Sequence, residues 1–198
     1  VLHNGAEQAC SEIASPIYEP FSEHNPFVLC FIGGLFSHLH GDCIEDIFEA
    51  VSEIRKKFPW IEFHLYGQRQ PADFLENLIH ANGFTHHGII IPLEKKFEIM
   101  EKAHSFVIPS SFKEEKHRHY RYSFPTKLPE LIASGRPILS YGPKETATNR
   151  ILETNNLGLR IYDRSVPKLV ESLKTLISQY QENISKFVPD SPTILEKF

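Results

Sequence analysis

The apolar positions along the chain switch repeatedly between unbroken runs and helical spacing. Phe27-Val28-Leu29-Cys30-Phe31-Ile32 is a continuous apolar run that stops at Gly33-Gly34. A short run without polar alternation is what a strand buried on both faces of a parallel sheet requires. Ile44, Ile47, Phe48, Val51, Ile54 and Phe58 then recur at helical spacing. The pattern predicts a second strand over Glu62–Tyr66 closed by Gly67, and a helix through Phe74, Leu75, Leu78 and Ile79 capped by Gly83. A third strand over Gly88–Ile91, a short helix over Glu94–Lys102 and a fourth strand over Ser105–Ile108 follow. Beyond a long polar loop comes a helix over Thr126–Ser134, stopped by Gly135. The remaining elements are a strand over Ile138–Ser140, a helix over Glu145–Asn155 and a strand over Gly158–Ile161. Val166, Leu169, Val170, Leu173, Leu176, Ile177 and Tyr180 then form the cleanest amphipathic stripe in the chain.

Strands alternating with helices in this way predict an α/β fold, a Rossmann-like parallel sheet of about six strands with helices on both faces. Residues 1–26, with Pro16, Pro20 and Pro26, read as a lead-in or interdomain linker. Residues 27–182 form the domain, and 183–198, with Pro189 and Pro192, a C-terminal tail. Right-handed crossovers put every strand C-terminus on one edge, and ligands of such folds bind in the crevice outside it. The loops to search are therefore 33–42, 67–71, 109–125 and 141–144, with 91–93 as a minor one.

Composition narrows the classes. The chain has 198 residues, 41% hydrophobic and 23% charged, as in ordinary globular proteins. Its 21 Lys and Arg against 25 Asp and Glu, net −4, argue against a dedicated nucleic-acid binder. No apolar run approaches the roughly 18 residues of a membrane span. Cys10, Cys30 and Cys43 are odd in number and form no CxxC, which fits a reducing, cytoplasmic compartment. The chain opens on Val1 and its one methionine is Met100, so it reads as a piece of something longer.

Two places carry candidate chemistry. Gly33-Gly34 follows the first strand, where glycines let the backbone approach a ligand and the next helix offers N–H groups to an anion. Alone, the pair reads better as a tight turn; Gly33-Gly34-Leu35-Phe36-Ser37-His38 is not GxGxxG, and no P-loop occurs. The second is Ser123-Phe124-Pro125-Thr126-Lys127-Leu128-Pro129-Glu130. Ser123 or Thr126 can cap the helix that starts here, and Lys127 adds positive charge beside its N–H groups. Glu130, about one turn in, is placed to accept two hydrogen bonds from a sugar diol; its structural alternative is a partner for the helix dipole. Pro129 belongs in a first turn. For Lys127 the alternative is a solvated surface lysine. The run from Lys113 to Arg121 is locally basic, either a mobile phosphate lid or a solvated loop. His38 and His40, like His117 and His119, lack the partners of a metal set, and the chain has no Asp-x-Asp.

The segment from Ser123 to Gly142 resembles the donor-binding region of GT-B glycosyltransferases, particularly the large retaining family 4, group 1. The resemblance extends in order through Asn4-Gly5, Phe31 to Leu35, Phe58 to Gly67, Gly83 to Ile89 and Ala103 to Ser111, and covers Val1 to about Tyr180. It implies that Glu130 holds the ribose hydroxyls of a nucleotide-sugar. It implies that Gly33, Gly34, Ser123, Thr126 and Lys127 hold the diphosphate, and that backbone at Gly88 and Ile89 meets the base. The family often carries an Arg, a Lys and a further Glu where this chain has Gly34, His40 and Tyr122. Lys127, with Arg118 or Arg121, is then left to stabilise the leaving diphosphate.

The resemblance implies a metal-independent transferase with no cofactor beyond its UDP- or GDP-sugar donor and a glycan or lipid-linked acceptor. It also implies a role in polysaccharide biosynthesis. The acceptor half would be a second Rossmann-like domain outside this chain, so the chain alone is expected to be inactive, with the full-length parent free to associate peripherally with a membrane. The alternatives are a nucleotide-sugar epimerase of the same fold and a non-catalytic nucleotide-binding domain.

Overall fold

The computed structural model describes residues 21–34, 36–67, 84–88 and 93–183. Six strands form one sheet: β1 (Phe27–Ile32), β2 (Ile61–Tyr66), β3 (Phe84–His86), β4 (Ser105–Pro109), β5 (Ile138–Tyr141) and β6 (Leu159–Ile161). Their order is β3-β2-β1-β4-β5-β6, and every neighbouring pair is parallel. The described helices are α1 (Ser37–Arg55), α2 (Leu93–Lys102), α3 (Glu114–Tyr122), α4 (Leu128–Ala133), α5 (Ala147–Thr154) and α6 (Val166–Asn183). The chain runs outward from β1 to β3, then returns to place β4 on the other side of β1, so the order reverses between β1 and β4.

Both faces of the central sheet are covered. On one, Phe27, Leu29, Phe31, Phe63 and Leu65 pack against Ile44, Ile47 and Val51 of α1 and Leu169, Leu173 and Leu176 of α6. On the other, Cys30, Ile32, Phe106 and Ile108 meet Met100 of α2, Leu131 and Ile132 of α4 and Leu152 of α5. Double coverage is why β1 is apolar throughout. Strand β2 alternates buried and half-buried residues, because its Glu62, His64 and Tyr66 lie on a face that is only partly covered. Burying a side chain such as Phe63 contributes about 1.5–3 kcal/mol.

At the N-terminal edge of the sheet Phe21 packs into an aromatic cluster. Its ring lies 5.2 Å from Phe27, 5.6 Å from Trp60, 5.1 Å from His104 and 5.7 Å from Tyr180, centroid to centroid. The segment ahead of β1 is thereby fixed to α6.

Several sequence expectations are corrected. The third strand lies at Phe84–His86, ahead of the predicted Gly88–Ile91; Gly88 follows the strand, and 89–91 fall outside the described residues. The apolar run Ile89-Ile90-Ile91 drew the prediction past an edge strand that offers only Phe84 as a fully buried residue. The basic segment 113–121 is no loop: Glu114–Tyr122 is helical. It lacks an apolar stripe, but Glu114 and Glu115 stand in its first turn and His119 and Arg121 in its last, complementing the dipole. The helix predicted over Thr126–Ser134 spans Leu128–Ala133. Neither Ser123 nor Thr126 caps it: Lys127 is the N-cap residue with no side-chain cap bond, Ser123 closes α3, and Pro129 sits in the first turn. Gly135 ends the segment at φ +65°, as its place as a stop required. The predicted helix through Phe74 to Ile79 and its cap Gly83 lie outside the described residues.

Candidate functional site

The carboxyl ends of β1 and β4, where the strand order reverses, open onto a cavity of about 360 Å³. Phe31 to Gly34 form one wall and Val107 to Ser110 the floor. The opposite wall is His119 and Tyr120 of α3 with Ser123 to Leu128.

Backbone hydrogen bonds lace the strand ends together. Gly33 N donates to the Tyr66 carbonyl at 2.9 Å, and Gly67 N donates to the Gly88 carbonyl at 2.7 Å. Gly67 has φ +142°, and a Cβ there would stand 1.9 Å from the Gly33 carbonyl oxygen. Only glycine allows that approach, and it sets the height of the Gly33-Gly34 turn. On the other side, Ser110 N donates to the Tyr141 carbonyl at 2.8 Å. The buried Asp42 carboxylate accepts from Ser111 Oγ at 3.1 Å and Phe112 N at 3.4 Å, tying the loop after β4 to α1. An Arg150 N–H to the Arg121 carbonyl, 2.7 Å, holds the end of α3 against α5.

Of the residues predicted for the site, Gly33, Gly34, Ser123, Thr126 and Lys127 all line this cavity. Lys127 is partly buried, so it is not the solvated lysine of the alternative reading. Burial pushes its ammonium pKa down, Lys96 pushes the same way, and Glu130 opposes them. Glu130 does not line the cavity. It stands in the first turn of α4 with its Oε1 paired to Lys96 Nζ at 2.6 Å, and its Oε2 is buried with no partner among the described residues. Gly88 lies outside the cavity wall, bonded to Gly67, and Ile89 is outside the described residues. Arg118 and Arg121 are exposed and do not line the cavity; Tyr122 is 74% exposed.

Sequence reasoning missed the contribution of α3, which brings His119 and Tyr120 to the wall. It also missed Phe36, 47% exposed, while His40, which stands where the family often carries a lysine, lines the cavity as well. A helix without an apolar stripe gives no periodic signal, so only its charge distribution marked it. A second groove, about 780 Å³, follows the partly covered face of β1 and β2 down to His104 and Arg136 at the N-terminal edge. In it Glu62 Oε2, His64 and His87 form a chain with separations of 2.8 and 3.2 Å, and His87 stacks on Tyr66. Among the described residues no trio of His, Cys, Asp or Glu is arranged to hold a metal, and no helix is long and apolar enough to cross a membrane.

Residues 26–179 match the family described as glycosyl transferases group 1. No curated protein sequence matches the chain. Among solved structures, the C-terminal domain of the group 1 glycosyl transferase LpcC from Francisella tularensis is similar at TM-score 0.63 and 16% identity, over 94% of this chain and 96% of that one. A glycosyltransferase from Rickettsia africae matches at TM-score 0.62 and 12% identity, over 87% of this chain and 43% of that one. WaaG, a glycosyltransferase involved in lipopolysaccharide biosynthesis, matches at 0.61 and 19%, over 87% and 46%. The chain thus spans less than half the length of the last two, and at these identities the likeness is one of fold, that of GT-B glycosyltransferase domains.

Proposed function

Because the chain belongs to the glycosyl transferases group 1 family, we propose that it is the donor-binding half of a GT-B glycosyltransferase, taking a UDP- or GDP-sugar. The observation that carries this reading is the cavity at the strand reversal, with the Gly33-Gly34 turn on one side and the partly buried Lys127 on the other. Open parallel sheets bind ligands at that point, and a diphosphate needs close backbone approach together with positive charge. In this reading the diphosphate lies between Gly33-Gly34 and Ser123–Lys127, and Glu130 accepts the ribose hydroxyls. Backbone at Gly88 and Ile89 meets the base. When the anomeric C–O bond breaks, its electron pair leaves on the diphosphate, and the Lys127 ammonium stabilises that charge. A metal ion has no part in holding the donor. The acceptor, a glycan or lipid-linked sugar, is positioned by a second domain, and such positioning is worth roughly 7–11 kcal/mol of barrier. The chain alone therefore binds donor without transferring sugar. The buried thiols of Cys30 and Cys43 support a cytoplasmic setting.

Calorimetric titration of the chain with UDP and GDP tests this, beside transfer assays on the chain and on a longer parent. Glu130→Ala is expected to weaken nucleotide binding by about 1.5–3 kcal/mol, as for hydrogen bonds to a charged group. Unchanged affinity, or transfer by the chain at the parent's rate, refutes the reading. A non-catalytic nucleotide-binding domain is the second reading, favoured by the exposed Tyr122 where the family often places a glutamate. An inactive parent that still binds UDP or GDP would select it.

A further inference from the structure

We infer that Lys96 is a positioning residue for the donor, fixing Glu130 by one carboxylate oxygen so that the site selects ribonucleotides over 2′-deoxyribonucleotides. The inference rests on the donor reading above and deepens it.

Lys96 and Glu130 come from different crossovers, α2 and α4, on the same face of the sheet. Each helix is held by its own buried residues, Met100 for α2 and Leu128, Leu131 and Ile132 for α4. Packing therefore fixes where the Glu130 backbone stands, but not how its carboxylate is turned. The pair from Lys96 Nζ to Oε1 sets that, at 2.6 Å, with the two side chains only 18% and 15% exposed. An exposed pair spends its attraction on ordering long side chains in water; a pair this sheltered is not diluted in that way.

The other oxygen is the telling one. Oε2 is buried and has no partner among the described residues. An ionised carboxylate only accepts hydrogen bonds, and a buried acceptor left unmade is costly. A hydroxyl donor relieves that cost. The vicinal diol of a ribose offers two such donors, and a 2′-deoxyribose one. A site built around a hydroxyl discriminates strongly against the analogue that lacks it.

Lys96 has a second effect. Lys127 also lies in the field of Glu130, and Lys96 opposes its charge. With Oε1 taken by Lys96, the Lys127 ammonium is left for the cavity that it lines.

The test titrates the full chain with UDP and GDP and with their 2′-deoxy forms, for wild type, Lys96→Met, Lys96→Arg and Glu130→Gln, with melting temperatures alongside. Wild type is expected to prefer the ribonucleotide by about tenfold or more, the worth of one hydrogen bond to a charged group. Lys96→Met is expected to lose about tenfold in ribonucleotide affinity. Its 2′-deoxynucleotide affinity, with one hydroxyl bond to lose rather than two, should fall less, so the preference narrows, and Lys96→Arg should restore it. A fully folded Lys96→Met with unchanged preference, or with tighter ribonucleotide binding, while Glu130→Gln binds poorly, overturns the role of Lys96 alone. Wild type that binds neither nucleotide, or a Glu130→Gln that binds like wild type, overturns the donor reading and this inference with it.

Discussion

Tyr141, at the end of β5, donates its buried hydroxyl to the Asp46 carboxylate of α1 at 2.8 Å. Arg164, ahead of α6, donates two more hydrogen bonds to the same carboxylate at 2.8 and 3.0 Å. Ser165 N closes the junction by donating to the Tyr141 hydroxyl at 3.0 Å. One carboxylate of α1 thus ties the end of β5 to the turn that leads into α6. Asp46→Ala strands a buried phenol and is expected to cost about 2–3 kcal/mol. Asp46→Asn, which keeps an acceptor, should cost clearly less. Urea midpoints of the two variants and wild type provide the check.

His104 gives stability a pH dependence. Its Nδ1 accepts a hydrogen bond from Val28 N at 3.0 Å, so the ring must be neutral on that nitrogen. Burial, with Arg136 adding to it, lowers its pKa from 6.5 to about 4. Between those values the unfolded chain binds the proton and the folded one does not. The contribution is therefore fully present above about pH 6.5 and is lost as pH falls towards 4. Denaturant unfolding at pH 7, 6 and 5 should show falling stability. His104→Asn, whose amide oxygen can take the place of Nδ1, should make the curve shallower even if its plateau is lower, the rest of the slope coming from His87, whose pKa burial also lowers to about 4.

Gly67→Ala is expected to destabilise the fold by at least about 2 kcal/mol, through backbone strain at its positive φ. The new methyl would also push against the Gly33 carbonyl. In the donor reading that displaces the glycine turn, so the variant should lose UDP or GDP affinity even at temperatures where it is fully folded. Calorimetry at low temperature separates the two effects.

Donor binding should not depend on a divalent ion. The chain has no Asp-x-Asp, and the proposed diphosphate site relies on backbone N–H groups and Lys127. Titrations of UDP and GDP in EDTA and in excess Mg²⁺ should give the same affinity. A strict Mg²⁺ or Mn²⁺ requirement would mean that the phosphates are held elsewhere.

The central fold was legible because its physics is local. Strand β1 is buried on both sides and is apolar throughout, and α6 shows its stripe because one face packs on the sheet. The edge was harder: β3 is three residues long, and its neighbouring isoleucines outweighed it. Helix α3 was missed because its residues are largely polar and stabilised by charge placement, which leaves no hydrophobic period. That Gly33, Gly34 and Lys127 line one cavity could be read from their places, the glycines after a strand and the lysine at a helix start. The Lys96–Glu130 pair joins residues 34 positions apart (130 less 96), and no spacing rule connects them.

The chain has a single tryptophan, Trp60, and it lies in the Phe21 cluster at the sheet edge opposite the glycine turn. Its indole stacks on Phe21 and meets Phe58 edge-on at 5.0 Å. Tryptophan emission is therefore a one-site optical reporter of how firmly the segment before β1 is held. It should shift when that segment detaches or the sheet unfolds, and stay dark to a nucleotide entering the crevice, so folding and ligand occupancy can be read separately in one cuvette.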